Sequence, residues 1–263
     1  MTTSKSLNSS KWLDFPFDAY SYADDELESN WDRLHLGDCE PWPESPELQQ
    51  AWRHYHQGEF AKAYALANKI GLQAHVVANK ACGMYANHLE KDDAIREAMY
   101  TDIVSRAEAA AENNPEDVNA WYFQGFALGR LSQLISIMAA LKKGYGGKIK
   151  TALENTLELE PAHAEAHIAL GLYHAEVIDK IGKFIGSMTY GASEDISLEH
   201  FQQALTLTPN SPVAHMEYGN GLYLLYGDKR IDDVSQAYVD ASECEPFEAM
   251  EILDRQQALA ELE

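Results

Sequence analysis

A chain of 263 residues, 46% hydrophobic and 10% aromatic, has ample material for a buried core, as one large domain or two small ones. Its 42 acidic side chains against 20 Lys and Arg give a formal net charge of −22, which repels phosphate backbones and anionic lipid and so argues against nucleic acid and membrane surfaces as partners. Cys39, Cys82 and Cys244 are far apart, odd in number and without CxxC or zinc-type spacing; the polar start MTTSKSLNSS has no secretory apolar core, and no run approaches the roughly 18 apolar residues that span a bilayer. The expectation is a cytoplasmic protein without membrane insertion.

Residues 1–46 differ from the rest. Trp12, Phe15, Phe17, Tyr20, Tyr22, Trp31 and Trp42 stand among Ser, Asp and the prolines Pro16, Pro41, Pro43 and Pro46, and regular helix is expected only between Asp24 and Leu36. Aromatics at this density are seldom left in water, so the segment reads as an arm packed on the body, in its groove, or as a partly disordered tail; the alternatives stay open.

From residue 47 to 246 the pattern is helical and repeats. AWRHYHQGEFAKAYALANKIG reads as a hairpin with a tight turn at Gly58, and a second pair runs from Ala78, Ala81, Cys82 and Tyr85 to a long helix ending at NNPED. The third unit pairs Trp121, Gly125 and Leu128 with Ile149, Leu153, Thr156 and Pro161. The fourth pairs His167, Leu170, Gly171 and His174 with Ser197, Phe201, Ala204 and Pro209, and the fifth His215, Tyr218, Gly219 and Leu222 with Val234, Tyr238, Ala241 and Pro246. A large residue, a hydrophobic-Gly step, then a second helix with small residues and a closing Pro resembles the tetratricopeptide repeat. That resemblance implies an all-α, right-handed superhelix of about five helical hairpins, with residues 247–263 as a C-terminal capping helix.

The intervals between Pro115, Pro161, Pro209 and Pro246 all exceed the ~34 residues of the ordinary repeat. The surplus falls between the two helices of a unit, as LISIMAALKKGYGGKIK in the third and VIDKIGKFIGSMTYGAS in the fourth, and is expected to lengthen the first helix before a glycine elbow. Neither elbow has the GxxxxGK[ST] layout of a phosphate-binding loop. Lengthened hairpins with such elbows resemble the tetratricopeptide proteins associated with TRAP transporters and, more distantly, the regulators of microtubule dynamics. The transporter-associated resemblance implies a groove or pore and a homo-oligomer.

Chemistry is sparse. His163 and His167 form an HxxxH pair able to place two imidazoles on one helix face, but no Glu follows the first His, and His167 takes the packing position of Trp121 and His215; no metal and no cofactor is expected. Glu176 with Asp179, and Asp232 with Asp233, read as surface charge, and no nucleophile motif is present. In the resembled repeats the first helix of each unit lines the concave face, which implies a groove of Asn119, Tyr122, Phe126 and Arg130, then Glu165, Ile168, Leu172 and Glu176, then Met216, Asn220 and Tyr223. A chaperone-type carboxylate clamp has only Arg130, Asn119 and Asn220 to draw on, beside acidic Glu165 and Glu176. The function expected is a non-catalytic scaffold that binds a protein or peptide along this groove; the alternative is an apolar small molecule held in a pocket or pore.

Overall fold

The computed structural model describes residues 7–18, 20–23 and 25–263. Residues 1–6 of the polar start, and Ala19 and Asp24 of the arm, lie outside the described residues. Every regular element among them is helical. Two short helices, α1 (Glu26–Ser29) and α2 (Trp31–Leu34), precede the hairpins α3 (Pro46–His56) with α4 (Phe60–Ile70) and α5 (His75–Met84) with α6 (Asp93–Asn113). In the third unit α7 (Val118–Leu134) and α9 (Tyr145–Leu159) flank α8 (Ile137–Lys143). In the fourth α10 (Ala164–Ile181) and α12 (Glu194–Leu207) flank α11 (Lys183–Tyr190). The fifth is α13 (Pro212–Tyr226) with α14 (Ile231–Glu243), and α15 (Ala249–Glu261) follows. The architecture is an all-α right-handed superhelix of tetratricopeptide-like hairpins.

One set of contacts explains why the third to fifth units share their layout. A proline stops each preceding helix, and its carbonyl accepts a hydrogen bond from the large residue six positions on: Trp121 Nε1 to Pro115 at 2.9 Å, His167 Nε2 to Pro161 at 3.1 Å and His215 Nε2 to Pro209 at 2.9 Å. Between them, Asp117, His163 and Ser211 cap the new helix by accepting from the backbone N–H three residues later. Both nitrogens of His163 and His167 are thereby engaged in structural bonds, His163 Nε2 with Asn119 Oδ1 and His167 Nδ1 with His200. Four residues after each large residue comes a glycine, because the partner helix leaves no room for a side chain. A Cβ on Gly125 would lie 2.7 Å from Leu153, and one on Gly171 2.9 Å from the fully buried Phe201 ring.

The insertions fold differently from the expectation. They do not simply extend the first helix. Ile135 turns extended, Ser136 accepts from Ala139 N to start a separate α8, and Gly182 breaks α10 before α11. Gly144 and Gly191 then take left-handed φ of 68° and 66°, the elbows into the second helices, where a side chain would be strained.

The described part of the arm and α15 close the superhelix. Leu27, Trp31 and Leu34 of the arm are buried in the same core as the first three units, with Trp31 edge-on to Trp52 at 5.6 Å. Further back, Trp12 stacks on Tyr85 at 4.4 Å. Helix α15 does more than cover a last face: it packs on α13, α14 and α3, and reaches the first two units through Tyr55 Oη to Met250 Sδ at 3.2 Å and His88 to Asp254 at 3.2 Å.

The repeat glycines give a direct test by urea unfolding. Gly171→Val should cost about 1–3 kcal/mol through overpacking against Phe201. Gly129→Ala, on α7 with nothing within 4 Å of a new Cβ, should be neutral or stabilising by up to about 1 kcal/mol. Equal effects would contradict the close approach described for Gly171.

Candidate functional site

The arm enters the concave side between residues 35 and 40 and is held there by a buried polar chain. Lys80, on the buried helix α5, is 4% exposed and places Nζ 2.8 Å from Asp38 Oδ2 of the arm and 2.7 Å from Glu165 Oε1 of α10. Burial alone would lower the Lys80 pKa; the two carboxylates outweigh it and hold the ammonium charged. Burial would likewise raise Asp38, but His35 and Lys80 pull it well below the usual carboxylate range. Glu165 N–H donates to Gly37 O at 3.0 Å, and Asn119 Nδ2 donates to Asp38 O at 3.1 Å and Glu40 Oε2 at 2.8 Å. Between these anchors Cys39 turns at φ 53°, a left-handed value uncommon for a residue with a side chain.

The chain of bonds fixes its own proton positions. Anionic Asp38 accepts from His35 Nδ1–H at 2.8 Å, which leaves His35 Nε2 as an acceptor 3.2 Å from His56 Nε2. His56 therefore donates from Nε2, and its bare Nδ1 faces Glu248 Oε2 at the start of α15. Glu248 must carry the proton. The electrostatics agree, since burial pushes Glu248 up to about 8 and His56 down to about 3. A single line of charge and hydrogen bonds thus joins α5, the arm, α3 and α15. Nearby, Arg33 of the arm makes a two-pronged bond to Glu251 at 2.9 and 3.1 Å.

Beyond the arm the concave face stays open as a cavity of about 110 Å³ between α7, α10, α13 and α15. Tyr122, Phe126 and Arg130 of α7 and Glu165, Ile168, Leu172 and Glu176 of α10 line it. Arg130 Nη2 bridges the cavity to Glu217 of α13 at 3.0 Å, with its guanidinium 5.7 Å from the Phe126 ring centroid. A second cavity of about 80 Å³ shares Ser132, Ile149, Tyr173 and Glu176 with the first and continues between the inserted segments.

The remaining expected residues lie elsewhere. Asn119 faces the arm. Met216 is buried with Leu222, Val234, Tyr238 and Ala258, because α14 and α15 cover that side of α13. Asn220 spends its amide on Glu217 and Tyr238, and Tyr223 is half exposed outside the cavity. Neither Asn119 nor Asn220 is available for a carboxylate clamp. Among the described residues no group of three or more His, Cys, Asp or Glu is placed to hold a metal ion.

Lys80, Asp38, His35, His56 and Glu248 were not singled out from the sequence. The available signal was a lone charged residue inside HVVANKAC, a short helix otherwise made of apolar and uncharged side chains.

The protonation pattern sets a pH dependence. His56 at about 3 and His163 at about 4 lie below the ordinary 6.5 because of burial, so their contribution is complete above pH 6.5 and is lost as pH falls through the acid range. Glu248 and Glu40, raised by burial from 4.5 to about 8, favour the folded state fully below pH 4.5 and progressively less up to pH 8. Thermal midpoints should therefore decline between pH 6.5 and 8. Glu248→Gln, which keeps a donor toward His56, should flatten that decline; a midpoint that climbs over this interval would contradict the proton assignment.

Comparison with known proteins places this geometry. A tetratricopeptide protein of the thermophile Thermus thermophilus, solved by crystallography, superposes with a TM-score of 0.57 over 81% of this chain and 97% of its own, at 15% identity, a likeness of fold alone. No curated protein matches. The family described as regulator of microtubule dynamics protein 1-3 matches residues 48–218, from α3 into the first helix of the fifth unit. Of the two families that the lengthened hairpins resemble, this is the more distant one in the sequence reading. The chain belongs to the regulator of microtubule dynamics protein 1-3 family.

Proposed function

We propose that the chain is a non-catalytic binding scaffold that takes an apolar segment of a protein partner into the cavity between α7, α10, α13 and α15. The observation that carries this is the division of the concave face. The arm fills the part beside α5, while the part beyond it is open, walled by aromatic and aliphatic side chains and crossed by one charged pair, Arg130 with Glu217. Aromatic walls with a few fixed polar groups suit an anchor residue of a peptide or helix. A groove already half occupied shortens what can bind. A long extended peptide threading the whole superhelix gives way to a short segment with one or two large side chains.

The titratable cluster supports a non-catalytic reading. Its members are buried and bonded to one another, and the charged groups at the cavity, Arg130, Glu165, Glu176, Glu217 and Asp254, are each paired. Regulation of microtubule dynamics gives the family its name, and it supports protein binding in the cytoplasm, in keeping with three free thiols.

A second reading, an apolar small molecule, draws on the continuity of the two cavities, which together make an apolar passage from α15 to the inserted segments. One variant addresses both. Gly129 lines the first cavity and has open space around it, so Gly129→Phe fills the site without displacing core. A protein retained from source lysate by the full chain and lost with Gly129→Phe would support the scaffold. Unchanged capture would sink this site, and a non-covalent small mass in native mass spectrometry, displaced by the same variant, would transfer the site to the second reading.

A further inference from the structure

The net charge of −22 is not evenly spread. Residues 137–150 carry Lys142, Lys143, Lys148 and Lys150, residues 180–192 carry Lys180 and Lys183, and neither segment contains an Asp or Glu. They lie within the two insertions, the second of which also carries Asp179 next to Lys180, and they flank the same cavity: Ile137, Ala140 and Leu141 of α8 on one side, Ile181 at the end of α10 and Tyr190 at the end of α11 on the other. The Tyr190 ring closes against Gly146, so the insertions form one continuous edge of the superhelix.

This edge also presents the most exposed large apolar side chains among the described residues. Met138, Phe184 and Met188 are 74%, 77% and 74% exposed, and Ile185, Ile137 and Leu141 accompany them. Helix α8 packs mainly on α9 and α11 mainly on α10, which leaves their outer faces without a protein neighbour. Single exposed apolar residues are ordinary, but six clustered on two inserted helices beside unopposed cations are not. Lys142 and Lys148 are exposed, and Lys143 lies 5.3 Å from the Tyr145 ring; Lys150, Lys180 and Lys183 meet Glu154, Glu176 and Glu194, at the base of the edge.

We infer that this edge docks the protein on an anionic phospholipid surface, with Met138, Phe184 and Met188 entering the headgroup layer and Lys142, Lys143 and Lys148 facing lipid phosphates and carboxylates. No helix among the described residues is long and apolar enough to cross a membrane, so the contact is peripheral. Charge complementarity selects the occupant. Two copies meeting through this edge by a two-fold axis would bring lysines against lysines, and an anchor residue of a protein partner would need a concave receptor that projecting side chains do not form. Apolar insertion combined with several lysines is the pairing that gives reversible attachment to an anionic leaflet. The strongly acidic remainder would be repelled by the same leaflet, and this orients the protein with only the inserted edge toward it. The net charge argues against lipid for the chain as a whole, but a sum over the sequence does not say where the charges lie, and the proposal concerns this edge alone.

The test is co-sedimentation of the full chain with vesicles of phosphatidylcholine alone and of phosphatidylcholine mixed with phosphatidylserine. Binding to the mixed vesicles that weakens with salt is expected, falling about tenfold or more in both Phe184→Ser with Met188→Ser and Lys142→Glu with Lys148→Glu. These positions are exposed, so melting curves should match the parent, and Gly129→Phe should still bind. No binding to mixed vesicles, equal binding to both kinds, or unchanged binding by the variants would overturn the inference. Sedimentation velocity showing a dimer abolished by Phe184→Ser with Met188→Ser would overturn it in favour of a second copy.

Discussion

The ammonium of Lys80 is the constraint on which the rest depends. It lies in an interior where an unpaired charge is prohibitively costly, and its two partners come from distant parts of the chain: Asp38 from the arm and Glu165 from the fourth unit. Neither can be withdrawn alone. Removing one member of a buried ion pair typically costs about 3–5 kcal/mol, because the other is left buried and uncompensated. The arm is therefore built into the superhelix as a structural strut. From Asp38 the bonds pass through His35 and His56 to Glu248, so the same strut also fastens α15 across the first unit. A stack of hairpins that would otherwise be open at both ends becomes closed.

Closure explains the character of the candidate site. An open tetratricopeptide groove presents one continuous concave face, whereas here the arm covers the part near α5 and α15 covers the side of α13 that holds Met216. What remains is a bounded cavity with a charged crossbar. The inserted helices lie at the other side of that cavity, so the lipid-facing edge and the binding cavity are neighbours through Ser132, Ile149, Tyr173 and Glu176. A partner segment held in the cavity would sit close to whatever surface the edge rests on.

The repeating units were legible because their determinants are local. Trp121, His167 and His215 each sit six residues after a proline and four before a glycine, and those spacings alone carry the bond to the proline carbonyl and the close helix approach. The same register brings Tyr122, Phe126 and Arg130 of α7 and four residues of α10 to one cavity. The fifth unit departs because α15 returns across it, a contact between segments whose relation no spacing encodes. The separate α8 had a local signal, Ser136 before Ile137 as a helix cap, which the apolar periodicity of the insertion masked. The buried polar chain was hidden for the opposite reason. His35 with Asp38, His56, Lys80, Glu165 and Glu248 come from five separate stretches of the chain, and apart from Lys80 each looks like ordinary surface polarity until the fold brings them together.

The central claim is that residues 26–40 are an integral part of the closed superhelix, tied in by Lys80. Native-state hydrogen exchange of the full chain tests it most directly, read at the backbone amides of Leu34, His35 and Cys39, which are bonded to Asn30, Trp31 and His35. These amides should exchange only through the same opening as the amides of α5 and α7, with matching free energies and matching sensitivity to urea. Exchange of the arm at low free energy, independent of urea, while α5 and α7 stay protected would show an arm that detaches from a superhelix stable without it, and would contradict the claim.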